Sequence, residues 1–165
     1  MVSYLVFPRA TFHCMDRDRL ADFLRAHTVL TLAVTNSDGT PYAAALFYAV
    51  DEDLLLYVLT DPATQHGRAM LACDAVAGTI QADGQPWESI TGVQFRGRCR
   101  PLSGEKQAKA SKIYTAKFRF LRQENPTLSS ALARTELWCI ETDWIRLIDN
   151  RLRFGHHEEW TRPQS

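Results

Sequence analysis

The stretch richest in chemistry runs from Tyr57 to Arg68, YVLTDPATQHGR. It places two hydroxyls (Thr60 and Thr64), the imidazole of His66 and the guanidinium of Arg68 where an apolar run gives way to a helical pattern. Asp61-Pro62 marks the switch, and Thr64 is a candidate N-cap. The first amides of a helix have no intrahelical acceptor and carry the positive end of the peptide dipoles. The junction therefore suits an anion, phosphate above all. Thr60 and Thr64 are expected to donate hydrogen bonds to it, and Arg68 to add charge-assisted ones. A plainer role stays open, in which Thr64 only caps the helix and the basic groups are solvated.

Other constellations carry less. No G-x-S-x-G elbow occurs, and Ser89, Ser103 and Ser111 have no diagnostic setting for a nucleophile. His156-His157-Glu158-Glu159 holds ligand-type residues, but neighbours on a strand point to opposite faces, so the run reads as a solvated polar tail and no metal is expected. Cys14, Cys73, Cys99 and Cys139 form no CxxC pair and no zinc-type cluster, which leaves four reduced thiols packed as small hydrophobes. A P-loop and a GxGxxG after a strand are both missing. Trp87, Trp138, Trp144 and Trp160 are expected in the core or at an interface, with one or two free to wall a flat cofactor.

Gross composition narrows the field further. Lys plus Arg and Asp plus Glu balance at 19 each, which favours neither nucleic acid nor an acidic membrane surface. With 165 residues and 45% hydrophobic content, one domain spanning residues 1–165 is expected. The N-terminal MVSYLVFPRATFHCMD has no basic region ahead of a long apolar stretch, and no run approaches the ~18 apolar residues of a membrane helix. A soluble, cytoplasmic protein is the expectation.

The elements that must position the junction follow from periodicity. Asp16–His27 reads as a helix, with Leu20, Phe23, Leu24 and His27 on one face. Thr28–Asn36, Pro41–Val50 and Leu54–Thr60 read as strands joined by Ser37-Asp38-Gly39 and Asp51-Glu52-Asp53. Links that short cannot carry a parallel crossover, so the three form an antiparallel meander. A helix over Thr64–Ala72 follows, then strands at Ala75–Ala82 and Ile90–Leu102. Ser103 is expected to cap a helix through Lys117 or beyond, with Ala108, Ile113 and Tyr114 toward the core and Asn125-Pro126 as its break. Thr135–Thr142, Trp144–Asp149 and Arg151–Phe154 are the late strand candidates. Short antiparallel strands interrupted by a few helices predict a mainly β fold with helices (α+β): an antiparallel β-barrel whose filled interior pushes any ligand to an outer groove or a subunit interface.

The order of motifs resembles the pyridoxamine 5′-phosphate oxidase-like family. Asp38-Gly39-Thr40-Pro41, an apolar strand, the acidic turn Asp51–Asp53 and a strand ending Tyr57-x-x-Thr60 match that family from roughly Ala21 to Leu102. Gly92–Gly97 (GVQFRG) and Phe154–Trp160 (an F-G-x-x-x-x-W pattern) are similar to a small uncharacterised branch of it. The resemblance implies a split β-barrel and a homodimer with two FMN sites at the subunit interface. By motif, the backbone of Ala44, Ala45, Leu46, Phe47 and Tyr48 would run beside the flavin ring. Thr60, Thr64, Gln65 and His66 would hold the ribityl phosphate. Arg68 joins them on charge and helical proximity, and Gln94 is a polar candidate for the ring. Gln65 and His66 replace the paired basic residues of the oxidase motif, and Ala44 and Ala49 replace its flanking Arg and Lys. A true pyridoxamine 5′-phosphate oxidase is therefore not expected.

Two classes of function follow from the resemblance. One is an FMN-dependent oxidoreductase on a small molecule, in which the flavin carries the hydride and no obligatory catalytic side chain is implied. The other is a non-enzymatic flavin or haem carrier, or a redox sensor, on the same fold.

Overall fold

The computed structural model describes residues 16–123 and 126–163. Helix α1 (Arg17–Ala26) opens the described chain, and Asp16 caps it by accepting the amides of Asp18 and Arg19 at 3.0 and 3.4 Å. Strands β1 (Val29–Thr35), β2 (Pro41–Val50) and β3 (Leu56–Thr60) form the meander. Helix α2 (Gln65–Ala72) comes next, then β4 (Ala75–Gln81), β5 (Thr91–Pro101) and α3 (Gly104–Lys117). Helix α4 (Pro126–Leu132), β6 (Glu136–Asp149) and β7 (His157–Thr161) complete the order.

All strand pairs are antiparallel, in the order β3-β2-β1-β4-β5-β6-β7, and β3 also pairs with β6. Six strands thus close into a barrel, and β7 extends β6 outside the ring. This is the split β-barrel expected from the sequence. Closure removes most of the edge that an open sheet of this length would expose, leaving β7 and the part of β2 that β3 does not reach. The interior is filled by side chains such as Leu30, Leu32, Tyr48, Ile80, Phe95, Trp138 and Ile145, each no more than 2% exposed. A smaller cluster lies between the sheet and α3, around Ala49, Tyr57, Tyr114, Phe118 and Leu137.

The late segments differ from the sequence reading in instructive ways. The two strands expected at Thr135–Thr142 and Trp144–Asp149 are one, kinked by a bulge. Arg96 pairs with Trp144 and Gly97 with Thr142, so Asp143 is the extra residue. Gly97 is required there, because a Cβ would lie 2.1 Å from the Glu141 carbonyl. Arg151–Phe154 is a turn, and a seventh strand, β7, spans His157–Thr161. Of the run His156–Glu159 read as a polar tail, His157–Glu159 lie in β7, whose alternation serves ion pairing that hydropathy alone does not reveal: Glu158 meets Arg19 and Glu159 meets Arg146. On α3, Ala108 is exposed, and Ala110 and Tyr114 face inward. Pro126 begins α4, where its missing amide costs nothing. The N-terminal apolar stretch, Cys14 and Asn125 lie outside the described residues.

Candidate functional site

The site begins with a mismatch in pairing along β2. Seven residues of β2, Pro41–Phe47, pair with β1, but β3 pairs only with Tyr48–Val50. Beyond Tyr48 the barrel is split, and β2 shows an edge. The amide of Tyr48 donates to Thr28 O and that of Asn36 to Thr40 O. Alternation then turns the backbone groups of Tyr42, Ala44 and Leu46 toward β1, and those of Ala43, Ala45 and Phe47 toward the open edge. Of these, the Phe47 carbonyl accepts from Tyr114 Oη at 3.2 Å. Side chains alternate as well. Ala45 and Phe47 are exposed, Ala44 and Leu46 are half-buried, and Tyr48 is buried with its hydroxyl on Leu24 O at 2.7 Å.

Helix α2 stands beside this split. Thr64 is its N-cap, as expected, with Oγ1 accepting from the Gly67 amide at 3.1 Å and donating to Asp61 O at 2.7 Å. Gly67 lets the helix approach the loop so closely, since a Cβ would lie 2.6 Å from the carbonyls of Asp61 and Pro62. The amides of Gln65 and His66 have no acceptor among the described residues. Gln65 also reaches Asn36 at 3.4 Å, which ties α2 to the β1–β2 hairpin.

The remaining candidates divide. Thr60 and His66 come together, but with each other: Thr60 Oγ1 and His66 Nε2 are 2.6 Å apart, and both residues are buried. The His66 ring lies parallel to Tyr42 at 6.4 Å, and its Nδ1 has no partner among the described residues. Burial lowers its pKa, so the imidazole is neutral at physiological pH and offers no positive charge to an anion. Arg68 is exposed and donates to Ala63 O, with further N–H groups left over. Gln94 stands elsewhere. The facing residues Ala45, Thr31, Thr79 and Gln94 make one row across β2, β1, β4 and β5 on the outer face. Three strand spacings, about 14 Å, separate Gln94 from Ala45 within one chain. The open edge and the outer row were invisible to motif reading, although the break between PYAAALF and YAV follows the change from alternating to continuous burial.

The outer face has two unlike halves. Across β2, β1 and β4 it carries Ala43, Ala45, Ala33, Thr31 and Ala77. Across β5, β6 and β7 it carries Arg96, Trp144, Arg146 and Glu159, knitted by an Arg146–Glu159 ion pair at 2.5 Å and a Trp144 Nε1–Glu159 hydrogen bond at 3.1 Å.

Residues 16–147 match the family model described as pyridoxamine 5′-phosphate oxidase, which covers the helix, the barrel strands and the split. The chain belongs to that family. Among its relatives is the UPF0306 protein YhbP of Salmonella arizonae, 33% identical over 147 residues, covering 88% of this chain and 93% of that one. Similar folds include conserved hypothetical protein Rv2991 of Mycobacterium tuberculosis (TM-score 0.71, 20% identity, 95% of this chain and 97% of that one). A haem-binding protein of Mycobacterium smegmatis also matches (TM-score 0.70, 15% identity, 90% of this chain and 59% of that one). The match spans the strand-to-helix junction, where this chain carries the uncharged pair Gln65 and His66. Among the described residues no helix is long and apolar enough to cross a membrane.

Proposed function

We propose that this protein is a homodimeric FMN-binding flavoprotein, an oxidoreductase acting on a small molecule other than pyridoxamine 5′-phosphate. The observation that carries the reading is the open edge at Pro41–Phe47 lying beside the free amides of Gln65 and His66. A flavin needs both a backbone edge, to meet the donors and acceptors of its ring, and an anion seat for its phosphate. When bound, FMN would supply hydride acceptance and donation at N5. The chain's own part is to seat the phosphate on two amides with Arg68 nearby, and to keep the ring against a flat stretch of small side chains. The exposed alanine half of the outer face and its Arg/Trp half suit an isologous dimer in which each half covers the other's counterpart. Such a dimer would bring a partner's Gln94 within reach of a ring that its own chain holds too far away.

The test is the colour of the protein. Purified protein should show flavin absorbance and release FMN, or take up added FMN at least roughly tenfold more tightly than riboflavin, the worth of about one charge-assisted contact. Arg68→Ala should narrow that preference. Protein that binds no flavin would overturn the reading, and a Soret band in its place would transfer the groove to haem. With FMN bound, anaerobic reduction by NADH or NADPH followed by turnover with an acceptor supports an oxidoreductase; no reduction supports a carrier.

A further inference from the structure

A cavity of about 530 Å³ lies where the first turns of α3 meet the outer face of β3, β6 and the end of β5. That volume is ordinary for a small-molecule site. Strand register builds its floor. Tyr57 pairs with Cys139 and Cys139 with Arg100, so the three stand in one row, and Glu141 pairs with Arg98 in the next. Leu55 and Leu102 complete an apolar base. Burial above all pushes the Cys139 thiol up to about 11, so it is uncharged at physiological pH and does not repel an anion.

The rim is cationic on two sides. Arg98 and Arg100 come from β5, and Lys106 and Lys109, one helical turn apart, come from α3; Glu141 is the carboxylate on the wall. Three of these cations are held in place by carboxylates outside the cavity. Asp74 accepts Arg98 Nη1 at 2.6 Å and Arg100 Nε and Nη2 at 2.9 and 2.7 Å, and Asp51 accepts Lys109 at 3.1 Å. A guanidinium has several N–H groups on its fork, so both arginines keep donors for a second anion. Lys106 and Glu141 form no ion pair with any described residue. Two pre-set arginines thus face an unpaired ammonium across an apolar floor. A cation would meet like charges here, and a neutral ligand would leave them unused.

We propose that this cavity binds a small phosphomonoester with an apolar body. Arg98, Arg100 and Lys106 hold the phosphate, and the body lies on Leu55, Tyr57 and Cys139. A dianion answers three cations better than a single carboxylate does, and its oxygens match the guanidinium fork. The volume leaves room for far more than inorganic phosphate. This seat stands apart from the flavin reading. Its wall takes no residue from β1, β2, α2 or β7, and the Asp143 bulge separates it from Arg96 and Trp144 on the outer face.

The test is an amide NMR titration of the full chain with phenyl phosphate, with and without saturating FMN. Benzyl alcohol supplies the body without the charge, and inorganic phosphate the charge without the body. Phenyl phosphate should shift the amides of Ser103, Lys106 and Cys139 to saturation, equally in both series. Each control should bind at least about tenfold more weakly, for want of a charge-assisted contact or of a buried ring. Lys106→Gln should weaken phenyl phosphate about fivefold and Glu141→Gln should tighten it by a similar factor, as befits exposed charges. Non-saturating shifts, equal binding of either control, unchanged affinity in both variants, or displacement by FMN would each overturn the assignment. If the protein takes up no FMN, the series without flavin still decides the matter, so the two readings fail separately.

Discussion

Asp149 and His66 are both buried polar groups, at 2% and 8% exposure, and the barrel treats them in opposite ways. Asp149 is charged and saturated. Its Oδ2 lies 2.5 Å from Arg19 and 2.7 Å from Arg151, and its Oδ1 accepts the amide and Nε of Arg151 at 3.1 and 2.8 Å. Arg19 goes on to Glu158 at 2.8 Å, so one carboxylate fastens α1 to β6 and β7. His66 is neutral and, among the described residues, has one hydrogen-bond partner and a ring nitrogen without one. A polar group that serves the fold is given every bond it can make. One left short, at the mouth of a split barrel, marks where the structure accepts a cost for some other end.

The strongest way to break this contrast is Asp149→Ala. Two guanidinium groups would lose their shared acceptor at a buried position. The expected loss is about 3 kcal/mol, read by chemical denaturation, with α1 the first element to loosen in hydrogen exchange. A loss below about 1 kcal/mol would show that the network is solvated and does not hold α1.

Acid sharpens the same comparison by timing. The hydrogen bonds from Arg151, working against burial, and the bond from Arg19 hold Asp149 down at about 2. A carboxyl depressed in the folded state contributes stability that is present above its unfolded pKa and lost as pH falls through the folded one. The window is therefore about pH 4 to 2, and the share of Asp149 is about 1–2 kcal/mol once screening at the exposed Arg151 is allowed for. Asp51 adds to this limb: burial works to raise it, and Tyr57, the Leu55 amide and Lys109 together outweigh that. His66 acts earlier. Its pKa is lowered by burial, so the neutral form's contribution is full above the ordinary 6.5 and erodes below it. Stability measured against pH should show two acid limbs. His66→Leu should remove the upper one, and Asp149→Asn should shrink the lower one.

Smaller again is the coupling between Thr60 and His66. His66→Leu leaves the Thr60 hydroxyl buried without its partner, and Thr60→Val does the same to His66 Nε2. Each single change should cost about 1–2 kcal/mol, and the double variant less than their sum by about 1 kcal/mol. Strict additivity would mean that the 2.6 Å contact contributes nothing.

How much of this was legible in the sequence differs between the two groups. The helix at Gln65–Ala72, its Thr64 cap and the gathering of Thr60 with His66 follow from residue types a few positions apart, which local pattern can report. Asp149 could not be read in that way. Its partners are Arg19, 130 residues away, and Arg151, and the strand that brings Glu158 alongside has the composition of a solvated polar tail. Nor could spacing show that the hydroxyl and imidazole would turn toward each other and away from an anion. That depends on burial and on neighbours from other strands, such as Tyr42, whose ring lies parallel to that of His66.

The smallest expected effect on stability carries the most about function. Ala45 is exposed on β2, and its backbone groups face the open edge. Ala45→Glu adds a solvated carboxylate and should change stability by less than about 0.5 kcal/mol. On the proposed reading, the same change sets a charged side chain where a flat ring and a second copy of the chain would lie. FMN uptake should fall at least about tenfold and the dimer should weaken, read by flavin titration and by sedimentation. A variant of unchanged stability that still binds FMN and still dimerises would move both partners off this face. The alanine stretch would then be only the smooth outside of a barrel wall, and the unsatisfied nitrogen of His66 would have no binding function to account for it.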